Sequence, residues 1–526
     1  MKALKFTNAS PTDFTIRANR DAFRSVLDNF KTEKFAKLTA FPIVNGQELN
    51  SSRIENSYDP SSGEILGKVH FADESILENV ISSLAEAKAG WSKTSWKNRA
   101  DALRNAAKIM HQRKFDLMAL ITFEAGKAWK ESDADVDEAI DFCNYYAELA
   151  EEMGKPKLTQ KVLGEENYYS YFPRGIALVI APWNFPLAIA CGMTAAALVT
   201  GNCTILKPAE QTSLIAYELA KILLEAGIPE DVFAFLPGQG EIIGKELVNH
   251  PQVDLICFTG SKPVGLEIMK TSSEVKDSQT KLKKVICELG GKNAIIVDED
   301  ADLDEAVKGI LYSAFGFSGQ KCSACSRVIG VGSAYERLVD RLTEAAGDII
   351  VGPAAESSTL LGPVVDQEAQ TRILKTIADG EQSLRLACKG AVPKQGYFVP
   401  QTVFRDVPED SKLWQEEIFG PVITCAKANS FSAALAMANR SQYALTGAVF
   451  SRSPNNIEQA KSEFEVGNLY INRTCTGAIV CRQPFGGFKM SGIGSKAGGP
   501  DYLLQFVEPR TWTENTMRRG FSPDFT

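Results

Sequence analysis

Residues 177–210 read ALVIAPWNFPLAIACGMTAAALVTGNCTILKPAE, and this stretch decides the fold. Ala177–Ala181 is an apolar run of strand length, Leu187–Thr200 an Ala-rich run of helix length, and Cys203–Leu206 a second strand. Helix Ser213–Ala226, strand Val232–Leu236, helix Glu241–His250 and strand Leu255–Phe258 continue the alternation. Short apolar strands alternating with helices at this spacing predict a parallel, doubly wound sheet. The strands run out into Pro-Trp-Asn-Phe-Pro, Lys-Pro-Ala-Glu, Pro-Gly-Gln-Gly and Thr-Gly-Ser, at the carboxyl edge where such sheets bind ligands.

Downstream, a second alternating series begins after Lys283. Val285–Glu288, Ala294–Val297, the helical run Asp304–Phe315, Val328–Val331 and Tyr335–Ile350 predict a second α/β domain running to about residue 481. Upstream, residues 1–56 read as an N-terminal helical layer, with helical apolar spacing at Phe23, Val26, Leu27 and Phe30. Asn56–Gly63 is turn chemistry, and Asp73–Glu152 reads as long amphipathic helices, clearest over Lys97–His111 and Asp133–Glu152. Tyr168, Tyr169 and Tyr171 in the polar stretch Lys155–Pro173 suggest an exposed hairpin. Arg482–Thr526 is Gly-rich, then strand-like at Tyr502–Val507.

Composition excludes several function classes. A net charge of −8 with no Lys/Arg cluster argues against a nucleic-acid partner. No apolar run approaches the ~20 residues that cross a bilayer, so no membrane partner is expected. The N-terminus has no apolar signal core, and eleven cysteines without one point to a reducing compartment. The expected location is the cytoplasm, or the mitochondrial matrix if the N-terminus is a transit segment. Three histidines, His70, His111 and His250, lie in no motif, which disfavours Cys-His and Ser-His-Asp hydrolases. No metal site is expected, since Cys322 and Cys325 have no second half at zinc-ligand spacing.

The chemistry centres on Phe315–Arg327, FGFSGQKCSACSR. Cys322 sits in a short polar turn between a helix and a strand, a placement suited to a nucleophile, with Lys321 favouring the thiolate. A free cysteine is more often core filling, and Cys325 also permits a redox pair. Glu288, before two glycines at a strand end, is placed as a general base or is an exposed loop carboxylate. Asn184 in the Pro-flanked turn offers an oxyanion donor or stabilises the turn. Phe258–Gly265 (FTGSKPVG) is an anion site at a helix start or simply a glycine turn, and Lys207 with Glu210 suits the two hydroxyls of a ribose or is a solvated surface pair. Glu417 and Phe419 add a carboxylate and an aromatic before another turn, a reading equal in weight to core and loop.

Together these segments resemble the aldehyde dehydrogenase superfamily. The matching stretches are APWNFP (181–186), KPAEQT (207–212), FTGSKPVG (258–265), ELGGKN (288–293), GQKCSACSR (319–327), EEIFGPV (416–422) and QPFGGFKMSG (483–492). The resemblance implies NAD as cofactor and two doubly wound parallel-sheet domains with a small β oligomerisation flap. It divides the chain into an NAD-binding domain (1–155 and 175–287), a catalytic domain (288–481), and a flap and tail (156–174 and 482–526). It implies Cys322 as nucleophile, Glu288 as base and Asn184 with the Cys322 N–H as oxyanion hole. Trp183, Lys207, Glu210, Gly240, Ser261, Gly265, Glu417 and Phe419 would then meet NAD.

A finer resemblance is to the branch that oxidises L-glutamate γ-semialdehyde, the hydrolysed form of 1-pyrroline-5-carboxylate, in proline catabolism. It rests on GQKCSACSR, GNLYINRTCTGAIVCRQPFGG (467–487) and FVEPRTWTENTMRRGF (506–521). It implies that Gly477, Ala478 and Ser323 hold the substrate α-carboxylate, Phe185 and Phe485 clamp its stem, and Glu138 meets its amino group. It also implies a homo-oligomer, at least a dimer, and a transient contact with proline dehydrogenase. Succinate semialdehyde is the rival substrate, and an idle structural protein on the same fold the rival of another class. Cys475 and Cys481 read as packing.

Overall fold

The computed structural model describes residues 5–517. Residues 1–4 and 518–526 lie outside it, including the end of the segment 506–521.

Two sheets carry the architecture. The first has eight strands. Five run parallel, in the order Lys284–Glu288, Leu255–Thr259, Ile176–Ile180, Cys203–Lys207 and Phe233–Phe235. Its edges are antiparallel additions: Gly492–Ile493 beside Glu288, and the Ile43–Val44 and Gln47–Glu48 strands at the far side. The second sheet has seven strands, all parallel except the Arg385–Lys389 edge. Its centre holds Asn293–Val297 and Cys325–Val331, so residue 293 and residue 325 face each other across one ladder.

The central strands are buried on both faces, and their sequences are accordingly near-continuous runs of Val, Ile, Leu, Ala and Cys. Helix Ala188–Val199 is also buried almost all round, because helix Trp129–Met153 packs against it opposite the sheet. Its Ala and Gly positions allow that close approach: a Cβ on Gly192 would fall 2.9 Å from the Phe142 ring.

The structure departs from the sequence reading in four places. The strand ending in Glu288, read as opening the second series, pairs with Leu255–Thr259 and closes the first sheet. Residues 1–56 are not all helical: after helix Arg17–Glu33, short strands join two sheets, and Ile54–Tyr58 is a strand before the turn. Tyr502–Phe506 is a 3-10 helix rather than strand, since Tyr502, Leu503 and Phe506 all turn inward, a helical spacing. Residues 482–506 accordingly pack on the first sheet and the core, and only Val507–Asn515 joins the Lys157–Val162 and Glu165–Pro173 hairpin in a three-stranded flap. Among the described residues no helix is long and apolar enough to cross a membrane.

Candidate active site

The turn before Cys322 is wound against its residues' preferences. Phe317, Ser318 and Gly319 take left-handed backbone angles in succession (φ 50°, 55° and 69°). Such geometry costs on the order of 1–3 kcal/mol per non-glycine residue and persists only where surroundings dictate it. They do so here. Ser318 Oγ donates to Gly362 O at 2.6 Å, and the buried Gln320 side chain accepts from Val365 N at 2.9 Å. A Cβ on Gly319 would fall 2.3 Å from Gly420 O.

The next residues are clamped from the second sheet. Asn293 Nδ2 donates to Cys322 O at 2.7 Å and to Ala324 O at 2.8 Å, while its Oδ1 accepts from Thr446 N at 3.0 Å. Gly291 must be bare, because a Cβ would sit 2.5 Å from Cys322 O. Asn184, buried in the turn after strand Ile176–Ile180, donates from Nδ2 to Gln320 O at 3.0 Å. The two sheets are thereby joined at this turn.

Carboxylates surround the thiol. Burial pushes Cys322 up most, Glu417 and Glu288 add to it, and the Ser323 N–H opposes it. Burial pushes Glu288 up to about 8 against Lys496 and the Gly487 N–H, and its Oε2 has no hydrogen-bond partner. Glu417, raised by burial to about 7, accepts from Gly291 N at 2.9 Å. Lys321 does not face the thiol as a free charge: its ammonium is buried against Glu131 at 2.6 Å. That correction follows from desolvation, which drives a buried lysine to the nearest carboxylate. Cys325 points away, donating to Arg327 O at 3.5 Å inside the second sheet's core, and all eleven cysteines are free.

On one side lie Glu138 and Phe185. Glu138 is raised to about 8 by burial and Asp135, against Lys127. Phe185 lies under the Lys127 ammonium, 3.8 Å from its ring centre. Ser323 Oγ meets Thr476 Oγ1 at 2.8 Å, which ties the Cys322 turn to the loop bearing Gly477 and Ala478. Gly477 has φ 73° and open space where a Cβ would point. Phe485 bridges to Ala497, and Cys475 is packed in the core.

On the other side, the carboxyl edge of the first sheet holds a preformed pair. Glu210 Oε1 accepts from Lys207 Nζ at 3.0 Å and from Gly240 N at 2.7 Å. Gly240 and Gly244 would bring a Cβ only to 3.8 Å from Glu210 and 3.7 Å from Lys207, so the groove before the pair stays bare. Ser261 starts helix Lys262–Ser273, and Gly265 leaves room for Leu289, 2.4 Å from where its Cβ would be. Trp183 stands edge-on to Phe419, 5.5 Å between ring centres, and Phe419 has φ 55°.

The family model described as aldehyde dehydrogenase matches residues 47–512. The chain belongs to the aldehyde dehydrogenase family. The 1-pyrroline-5-carboxylate dehydrogenase of Geobacillus thermodenitrificans is 46% identical over 506 residues, covering 96% of this chain and 98% of the relative. A crystal structure of 1-pyrroline-5-carboxylate dehydrogenase from Thermus with bound NAD matches with a TM-score of 0.95 at 40% identity, over 98% of this chain and 100% of that one. Proline utilization A from Bdellovibrio bacteriovorus gives 0.97 at 49% identity over 99% of this chain, which spans only 54% of that longer protein.

Several residues of this aldehyde dehydrogenase's site escaped the sequence reading. Asn293, Gln320 and Thr476 act through contacts more than 25 positions away in sequence, although Asn293 ends the ELGGKN stretch and Gln320 lies two before Cys322. Asp135 and Glu131 sit within helix Trp129–Met153, and Lys127 in the turn before it, where polar residues look solvent-facing until the helices pack.

Proposed function

We propose that this chain oxidises L-glutamate γ-semialdehyde, from hydrolysis of 1-pyrroline-5-carboxylate, to L-glutamate with NAD, the second step of proline catabolism. The observation that carries the substrate is the Ser323–Thr476 contact, which sets the open Gly477–Ala478 loop beside Cys322. A chain with an aldehyde at one end and an amino acid at the other needs such a second anchor. Gly477, Ala478 and Ser323 take the α-carboxylate, Glu138 the amino group, and Phe185 and Phe485 the stem. The 46% relatives carry the same name over nearly their whole length.

NAD, when bound, supplies the hydride acceptor. The Lys207–Glu210 pair with Gly240 suits the two hydroxyls of its adenine ribose. Ser261 and Gly265 at the helix start suit the pyrophosphate, and Glu417 with Phe419 and Trp183 the nicotinamide end. In this reading residues 1–155 and 175–287 hold the cofactor, 288–481 the chemistry, and 156–174 with Val507–Asn515 the flap.

The chain's own residues do the rest. The Cys322 thiol gives up its proton to solvent and attacks as the thiolate. Sulfur adds to the aldehyde carbon, and the resulting oxyanion is held by the Cys322 N–H and the second N–H of Asn184, whose first is on Gln320. Loss of hydride leaves a Cys322 thioester. Glu288 then deprotonates water, oxygen attacks the thioester carbon, and the C–S bond breaks to release the acid.

The same reading makes the protein a cytoplasmic homo-oligomer, at least a dimer, meeting proline dehydrogenase transiently. Exposed Leu158, Val162, Leu163, Phe172 and Trp512 on the flap support association. The test is NADH formation with pyrroline-5-carboxylate, succinate semialdehyde and propanal, beside Cys322→Ala. Preference for the first, lost in the variant, is expected. Preference for another aldehyde overturns the anchor, and no oxidation of any overturns the enzyme.

A further inference from the structure

Accepting Glu288 as the base, a further residue governs it. The carboxyl group sits in a hole lined by neutral groups. Cys257 on the neighbouring strand, Cys287 on its own, Cys322 in the turn and Tyr502 from the 3-10 helix all feel its charge and are raised by it. The cation facing it is Lys496, from the loop after the Gly492–Ile493 strand.

That lysine is held in a built position. Phe485 and Ala497 exchange backbone hydrogen bonds at 2.8 and 2.7 Å, locking loop 483–499 on itself. Lys496 Nζ donates to Gly486 O, and Gly486 lies between the two groups. A Cβ there would be 3.0 Å from Glu288 Oε1 and 3.5 Å from Lys496 Cα. A Cβ on Gly467 would fall 2.9 Å from Lys496 Nζ, so two bare glycines make the lysine's seat. Glu288 Oε2 is buried and without a hydrogen-bond partner.

We propose that Lys496 is a positioning residue for Glu288, its ammonium favouring the ionised carboxylate so that a larger share of it can activate water near neutral pH. The ammonium acts through the low-dielectric space around Gly486, where one charge still acts on another several ångströms away. Without it, a smaller share of the base would be ionised at pH 7 and the Cys322 thioester would accumulate.

The experiment follows the pH dependence of acyl-enzyme breakdown, and of the NADH burst that precedes it, in the full-length chain. Lys496→Met and Lys496→Gln are compared with Lys496→Arg and Glu288→Gln. Glutamine keeps a donor for the Gly486 carbonyl and serves as the second variant if methionine misfolds. Expected is a rise in the midpoint of breakdown by about one pH unit for the neutral variants, so about tenfold slower breakdown at pH 7. The burst should persist, and arginine should restore the midpoint. A rate lowered equally at every pH, with the midpoint unmoved, overturns the role of Lys496 and assigns it to structure alone. Breakdown unaffected in Glu288→Gln overturns instead the reading of Glu288 as the base, a result the lysine variants do not produce.

Discussion

The charges on the two sides of Cys322 are arranged in opposite ways. On the Phe185 side, Glu138 apart, they are closed: Lys127 binds Asp135 at 2.6 Å with both side chains fully buried, and Lys321 binds Glu131 at 2.6 Å. Asp135 also caps helix Ala188–Val199 through Ala188 N at 2.7 Å. On the Glu288 side they are open. Glu288 Oε2 and Lys292 Nζ are buried with no hydrogen-bond partner, and burial brings both groups toward neutrality, to about 8 and about 7. A closed pair fixes geometry. An open group, poised near pH 7, can change protonation during a reaction.

The largest effect that tests this contrast is at Glu288. Glu288→Gln keeps shape and removes the base, so turnover should fall by about 10²–10⁴-fold. The NADH burst, read by rapid mixing, should remain close to one per site because the thioester forms and stalls. Turnover within tenfold of the parent enzyme would remove Glu288 from the open set.

A comparable effect, on stability instead of rate, is expected on the closed side. Lys127→Met leaves Asp135 buried without its partner, and breaking such a pair costs about 3–5 kcal/mol. Lys292→Met should cost less than about 1 kcal/mol, since burial already brings a lysine with no hydrogen-bond partner close to its neutral form. Denaturant midpoints of the two variants, measured side by side at pH 7, decide the matter. Equal losses would mean that Lys292 is closed by Glu417 after all.

How much of this was legible beforehand follows the range of the interactions. The strand–helix alternation from Ala177 to Phe258 and the Cys322 turn were readable because local apolar spacing and local motifs write them. Membership of the Glu288 strand in the first sheet was not, because it depends on pairing Lys284–Glu288 with Leu255–Thr259. The 482–506 segment read as tail for a similar reason: Tyr502 stacks on Tyr146, 5.4 Å between centres, across more than 300 residues. Lys321 stands next to Cys322 in sequence, yet its charge is met by Glu131 from a distant helix. Open and closed charges cannot be told apart until the helices are packed.

The smallest expected effect, on the pH dependence of stability, isolates the open side. Glu288 has an ordinary value of 4.5 and about 8 when folded, so between these the native state binds more protons than the unfolded one. Stability from this group is therefore full below about pH 4.5 and lost as pH rises through about 8. Lys292 has the opposite sign: its folded value of about 7 lies below 10.5, so the native state binds fewer protons across that range, and stability rises with pH there. Denaturant midpoints from pH 5 to pH 8 should fall more steeply in the parent enzyme than in Glu288→Gln, where the loss attributed to this carboxyl disappears. Lys127→Met should shift the whole curve down, and parallel slopes for the parent enzyme and Glu288→Gln would place Glu288 among the closed charges.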